Sequence, residues 1–138
     1  MQPQPTLSLS AREVGNGPAV FCYVAVSGEL KEDGVESFHQ LISSLLARGQ
    51  NRIALDATGL AFVSSAGYGR LLHFASRARS RGGDVKIVSA SPALLRWMRL
   101  LALETRFESC RDASGAAYAF ARDARSPMTA RPRERVFA

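Results

Sequence analysis

Hydrophobic and polar positions change rhythm several times along the chain, and each change predicts an element. Residues 6–13 alternate, with Leu7 and Leu9 on one side and polar residues on the other, which predicts an edge strand. Gly15-Asn16-Gly17-Pro18 reads as a turn. The apolar run from Ala19 to Val26 is rich in Val, Phe and Tyr, and Pro18 and Gly28 bound it. It is too short for a helix and predicts a mostly buried strand that forms a hairpin with the first. From Gly34 to Arg48 the period becomes helical: Val35, Phe38, Leu41, Ile42, Leu45 and Leu46 form one apolar stripe, and Gly49 stops it.

The rhythm then shortens again. Arg52 to Asp56 predicts a strand, Thr58-Gly59 a turn, and Leu60 to Val63 an apolar approach to a second helix that Ser64 or Ser65 caps. That helix runs to about Arg81, with Tyr68, Leu71, Leu72, Ala75 and Ala78 facing inward and Gly82-Gly83 as its stop. Asp84 to Ser89 predicts a further strand with Val85, Ile87 and Val88 as its apolar positions. Ser91 followed by Pro92 is an N-cap followed by proline at the first helical position, and Leu94 to Leu103 continue that helix. A short extended piece, Arg106-Phe107-Glu108, precedes Asp112, whose carboxylate caps a last helix containing Ala116, Ala117, Tyr118 and Phe120. Strands alternating with helices in this order require parallel neighbours in an α/β fold with helices packed over the sheet.

Composition agrees with a folded chain. The 138 residues suffice for one ordinary domain, and 46% hydrophobic with 22% charged residues is the balance of a globular fold. The longest wholly apolar run is Ala19 to Val26, far short of the roughly 18–20 residues that cross a bilayer. Met1 to Pro5 lacks a basic patch and an apolar stretch, so a secretory signal is not expected and a cytoplasmic location is. The net charge of +6 raises the question of nucleic acid, and its placement argues against it. Residues 1–110 hold 12 Lys/Arg against 9 Asp/Glu, and residues 111–138 hold 6 against 3. Half the excess therefore sits at the Arg-rich end, which predicts a flexible tail over 123–138, and no basic stripe interleaved with aromatics marks the body. Cys22 and Cys110 stand far apart without a CxxC or His-rich neighbour, so they read as reduced thiols and neither a metal site nor a disulfide framework is expected.

Catalytic signatures are missing. The chain has no phosphate-binding G-x-x-x-x-G-K-[ST] loop, no G-x-S-x-G elbow, no HExxH and no GxGxxG, and His39 and His73 stand alone on the flanks of helical stripes. An enzyme is not expected, and neither is a cofactor.

One stretch is specific: Asp56-Ala57-Thr58-Gly59-Leu60-Ala61-Phe62-Val63-Ser64-Ser65-Ala66-Gly67-Tyr68-Gly69. A strand end leads through a tight loop into a helix opened by two hydroxyls and two glycines, which lets backbone approach backbone and puts Ser65 near unpaired helix N–H groups. This stretch resembles the signature of the STAS domains, the fold of bacterial anti-sigma factor antagonists. Their pattern runs from a strand-ending Asp through a small Gly-containing loop to Asp-Ser-Ser-Gly-x-Gly. Gly28-Glu29-Leu30 matches the family's Gly-Glu-Leu-Asp turn, Gly82 to Val88 its fourth-strand start, and Ser91-Pro92 the opening of its third helix. The resemblance covers residues from about 6 to 122 and implies a single STAS-type α/β domain over 1–122. Its mixed sheet would have four to five strands, with about four helices packed over it.

The resemblance further implies a partner-switching protein. A GHKL-type serine kinase that is also an anti-sigma factor phosphorylates a Ser at this helix start, and a phosphatase removes the phosphate. On this chain the motif puts Ser65 at the acceptor position, Ser64 where the family has Asp, Ala66 where a second Ser often sits, and Lys31 in place of the Asp after Gly-Glu-Leu. Candidate partner-binding residues are Ser64, Ser65, Gly67, Tyr68, Lys31 and Trp97, the last flanked by Arg96 and Arg99. Ser64 and Ser65 also read simply as caps, Gly67 and Gly69 as close-packing positions, and Asp56 as a holder of its loop. As the alternative, Ser65-Ala66-Gly67 also fits the pattern of a STAS subunit of a lipid-transport ABC complex, in which the helix packs permanently on an ATPase and no phosphate cycles.

Overall fold

The computed structural model describes residues 7–15, 19–103 and 105–125. Strand β1 (Leu7–Val14) pairs antiparallel with β2 (Phe21–Leu30), with Leu7 opposite Gly28 and Val14 opposite Phe21. Parallel pairing then carries the sheet from β2 to β3 (Arg52–Asp56), β5 (Asp84–Val88) and the two-residue β6 (Ser109–Cys110). A further short strand, β4 (Leu60–Val63), pairs parallel with the end of β2. The sheet thus has six strands. The apolar approach expected at Leu60 to Val63 is itself a strand, because β2 runs on to Leu30 and offers it a free edge beyond the end of β3. The extended piece expected at Arg106 to Glu108 pairs only just after it, at Ser109–Cys110.

Helices α1 (Glu32–Ala47), α2 (Ser65–Ser80) and α3 (Pro92–Leu100) lie on one face of the sheet. Helix α4 (Ala113–Arg125) covers the other. Period-2 alternation decides which side each strand residue serves. Cys22, Val24, Val26, Ile53, Leu55, Val85 and Ile87 join the larger core under α1–α3. Phe21, Ala54 and Val88 meet Ala116 and Phe120 of α4, with the Phe21 and Phe120 rings stacked at 5.0 Å. Strand β5 is buried at every position, as a central strand covered on both faces must be.

The expected punctuation is in place. Gly49 and Gly82 adopt φ values of +84° and +83° just past α1 and α2, the left-handed conformation that glycine adopts without strain. Ser91 Oγ accepts from the Leu94 N–H at 3.1 Å, and Asp112 Oδ1 from the Gly115 N–H at 2.8 Å. The Gly15–Pro18 turn is described only at Gly15. Met1 to Pro5 and the stretch 126–138 of the expected tail lie outside the described residues, while 123–125 complete α4.

Candidate functional site

Three chain segments are laced together where β2 and β3 end and α2 begins. The Gly28 N–H donates to the Gly59 carbonyl and the Ser64 N–H to the Leu30 carbonyl, both at 2.9 Å. These bonds bring the Gly28-Glu29-Leu30 turn, the Asp56–Gly59 loop and the helix start to one place. A side chain at Gly67 would press a Cβ to 2.7 Å from the Leu30 carbonyl oxygen and 2.9 Å from Val63 Cγ1, so only glycine lets α2 seat this closely. Gly69 is different. Nothing lies within 4 Å of a Cβ built there, so the close-packing role expected of both glycines belongs to Gly67 alone.

The two serines divide the work. Ser64 has extended backbone, and its Oγ accepts from the Gly67 N–H at 3.1 Å, so Ser64 is the cap. Ser65 occupies the first helical position, is exposed, and its hydroxyl has no hydrogen-bond partner among the described residues. The first turn of α2 holds no acidic side chain to occupy the positive end of the helix dipole. Lys31, beside Leu30, is half-exposed and pairs with Glu29 at 3.2 Å. Gly67 and Tyr68 face inward; Tyr68 is buried among Leu30, Val63, Leu71 and Met98, so its contribution is to fix the helix start from beneath. Burial alone raises its phenol pKa. Trp97 lies apart, exposed on α3.

Asp56 holds its loop. Oδ1 accepts from the Thr58 N–H at 2.9 Å and the Thr58 hydroxyl at 2.6 Å, and Oδ2 from the Tyr23 hydroxyl at 2.7 Å. Burial pushes the Asp56 carboxyl up, yet these three donors outweigh it and leave the group below its ordinary value. Tyr23 responds in the opposite sense, pushed up to about 12 by burial and by the carboxylate it serves.

Two groupings escaped the sequence. His39 and His73 do not stand alone: their rings stack at 6.3 Å across the α1–α2 seam beside Phe74, and His39 Nδ1 is buried without a hydrogen-bond partner among the described residues. On the α4 face, the fully buried Lys86 places its ammonium 3.1 Å from Asp84, 2.7 Å from Glu108 and 2.9 Å from Asp123. The three carboxylates lie within 4.8 Å of one another, and the ammonium fills the cation position at their centre. Arg122 also clasps Glu108 and Asp123, and Arg79 clasps Asp84. The signal for this cluster was Lys86 itself, a charge at a central position of an apolar strand. Both cysteines are free, and burial raises both thiols' pKa.

A family model described as Mlab, STAS domain, matches residues 19–109. The chain belongs to the STAS family. Solved STAS-type structures share its fold. An anti-sigma factor antagonist from Mycobacterium paratuberculosis superposes with a TM-score of 0.68 at 21% identity, covering 82% of this chain and 94% of that one. The unphosphorylated anti-sigma factor antagonist SpoIIAA of Bacillus gives 0.65 at 18%, covering 78% and 91%. The murine anion transporter Slc26a9 gives 0.61 at 16%, with 72% of this STAS chain covering 17% of the transporter. No curated protein matches the chain significantly. No helix among the described residues is long and apolar enough to cross a membrane.

Proposed function

We propose that this STAS protein is a regulatory binding protein, not an enzyme, that works in the cytoplasm as an anti-sigma factor antagonist. The surface around the start of α2 docks an anti-sigma factor that is also a GHKL-type serine kinase. Ser65 is the phosphoacceptor, and a phosphatase resets it. The observation that carries the reading is the division between the serines: Ser64 is spent on capping, while the Ser65 hydroxyl is exposed and unengaged. In the transfer, Ser65 Oγ attacks the γ-phosphorus of ATP, its proton passes to a base on the kinase, and ADP departs. The ester adds about −1.5 to −2 charges, which the N-terminus of α2 tolerates, so the domain stays folded. The effect falls on the partner: a dianion newly buried in a packed interface costs several kcal/mol, enough to dissociate a micromolar complex.

Incubation with the kinase and ATP adds one phosphate, which Ser65→Ala abolishes; a phosphosite elsewhere overturns the assignment. The description of the matching family model and the Ser65-Ala66-Gly67 order favour a second reading, a non-phosphorylated STAS subunit of a lipid-transport ABC complex. Copurification of an ATP-binding transporter subunit in place of a GHKL kinase decides for it.

A further inference from the structure

The seam between α1 and α2 gathers aromatic rings. Phe38 and Phe74 meet edge to face at 6.0 Å in its buried part. Toward solvent come His39, half-buried, and His73, exposed, with ring centroids 6.3 Å apart and planes within 15° of parallel. No described residue hydrogen-bonds a nitrogen of either ring, and His39 Nδ1 is buried as well. A neutral imidazole always carries one nitrogen lone pair. The seam therefore holds two lone pairs side by side that nothing on the protein takes up, which is unusual for polar groups partly withdrawn from water. A carboxylate stands next to them in sequence. Glu36 precedes His39 by three positions, the Glu-x-x-His spacing that puts an acid and an imidazole on one side of a helix. Glu36 is exposed and makes no ion pair among the described residues. The other acidic grouping, Asp84 with Glu108 and Asp123, is closed to a metal because the Lys86 ammonium fills it.

We propose that Glu36, His39 and His73 form a zinc-class metal site that bridges α1 and α2. Two imidazoles and a carboxylate are a donor set that Zn²⁺ accepts, with water completing a tetrahedral shell. An ion about 2.0–2.1 Å from one nitrogen of each ring needs the ring centroids roughly 5 Å apart, so the pair closes by about 1 Å from 6.3 Å. Glu36 does not yet lie against both rings as the Asp84 carboxylates lie against one another. Glu36 and His73 are both exposed and unpaired, so rotation of their side chains supplies the closure. Arg70 and Arg77 flank His73 three positions before it and four after it, so surrounding charge does not draw a cation here. Selection rests on ligation by nitrogen, which suits Zn²⁺, Ni²⁺ and Cu²⁺ and not Mg²⁺ or Ca²⁺. The site is independent of the phosphate transfer proposed above. An ion held from two helices binds the folded chain and not the unfolded one, so it steadies the helix that presents Ser65.

The test titrates ZnCl₂ by calorimetry into the full chain, stripped of metal with EDTA and free of any affinity tag. Proton NMR follows the imidazoles; the chain has two histidines, so His73→Gln assigns both sets of signals. Expected are one equivalent of zinc, movement of both imidazoles' signals together, and a melting temperature that rises with zinc concentration. MgCl₂ at the same concentration produces none of these. His73→Gln, at an exposed position, lowers zinc affinity at least about tenfold, and Glu36→Gln lowers it by a smaller factor. His39 is half-buried, so its part is read from its own signals in the parent protein, where no packing is disturbed.

Movement at one imidazole alone, zinc affinity unchanged in His73→Gln or in Glu36→Gln, or no saturation by about 1 mM zinc overturns the site. Loss of binding in Cys110→Ser also overturns it, since the zinc then sits on a thiol. None of these outcomes alters the phosphorylation test at Ser65.

Discussion

Replacing Lys86 by methionine isolates the energetics of the α4 face. Methionine keeps an unbranched chain that lies against Phe120, whose ring centroid is 4.9 Å from Nζ, but it removes the charge shared by Asp84, Glu108 and Asp123. Removing one partner of a buried ionic group costs about 3–5 kcal/mol, because the charges left behind stay desolvated. Arg79 and Arg122 still reach the carboxylates, which places the expectation near the lower end, about 3 kcal/mol. Against a total stability of about 5–15 kcal/mol, that lowers Tm by roughly 10 °C.

The sign of the pH dependence is fixed too. Hydrogen bonds from Arg122 hold Glu108 down, from an ordinary value near 4.5 to about 2; burial opposes them and Lys86 adds to them. A depressed carboxylate contributes stability that is complete above its unfolded pKa near 4.5 and is lost as pH falls through about 2. The shift corresponds to about 3 kcal/mol at 1.36 per unit. Solvent at a side chain 31% exposed screens this to about 1–2 kcal/mol. Protonated carboxyls no longer need the ammonium, so the Lys86→Met deficit shrinks between pH 4.5 and 2. Urea unfolding followed by far-UV circular dichroism at about pH 7 and about pH 3 reads both quantities. A deficit below about 1 kcal/mol at neutral pH, or one that widens in acid, refutes the reasoning.

Three further outcomes follow from the α2 start and its supports. Gly67→Ala forces a Cβ against the Leu30 carbonyl and destabilises by about 1–3 kcal/mol, while Gly69→Ala, open on all sides, stabilises by about 0.5–1 kcal/mol; paired thermal melts separate them. Ser64→Ala loses the cap and about 1 kcal/mol, whereas Ser65→Ala leaves stability within about 0.5 kcal/mol of the parent, and denaturant midpoints check both. Ultraviolet titration finds a phenol ionising near 12 that vanishes in Tyr23→Phe and titrates lower in Asp56→Asn.

Much of the architecture was legible because local chemistry and global fold agree. The Val35 to Leu46 stripe, the Ser91-Pro92 start and the Asp112 cap each name their element without help from distant residues. The start of α2 was legible as a motif, but which serine caps it was not: the choice depends on the Ser64 N–H reaching Leu30, a contact more than thirty residues away in sequence. Lys86 was hidden for the same reason. In a strand read alone, a lysine alternating with Val85 and Ile87 looks solvent-facing; it is buried because α4, arriving 27 residues later, brings Asp123 over it. The end of α3 was half legible: the helix expected to run on to Leu103 stops at Leu100, and Leu100 and Leu101 are exposed.

The sheet's two coverings answer to different insults. Three helices adhere chiefly through oily contact, which weakens on cooling, with Arg79 of α2 adding an ionic tie to Asp84, whereas α4 is riveted by several ionic bonds from Asp123 and Arg122, which acid undoes. Chilling therefore loosens the α1–α3 side first and acidification delaminates α4 first, so the fold has two seams that separate under opposite treatments.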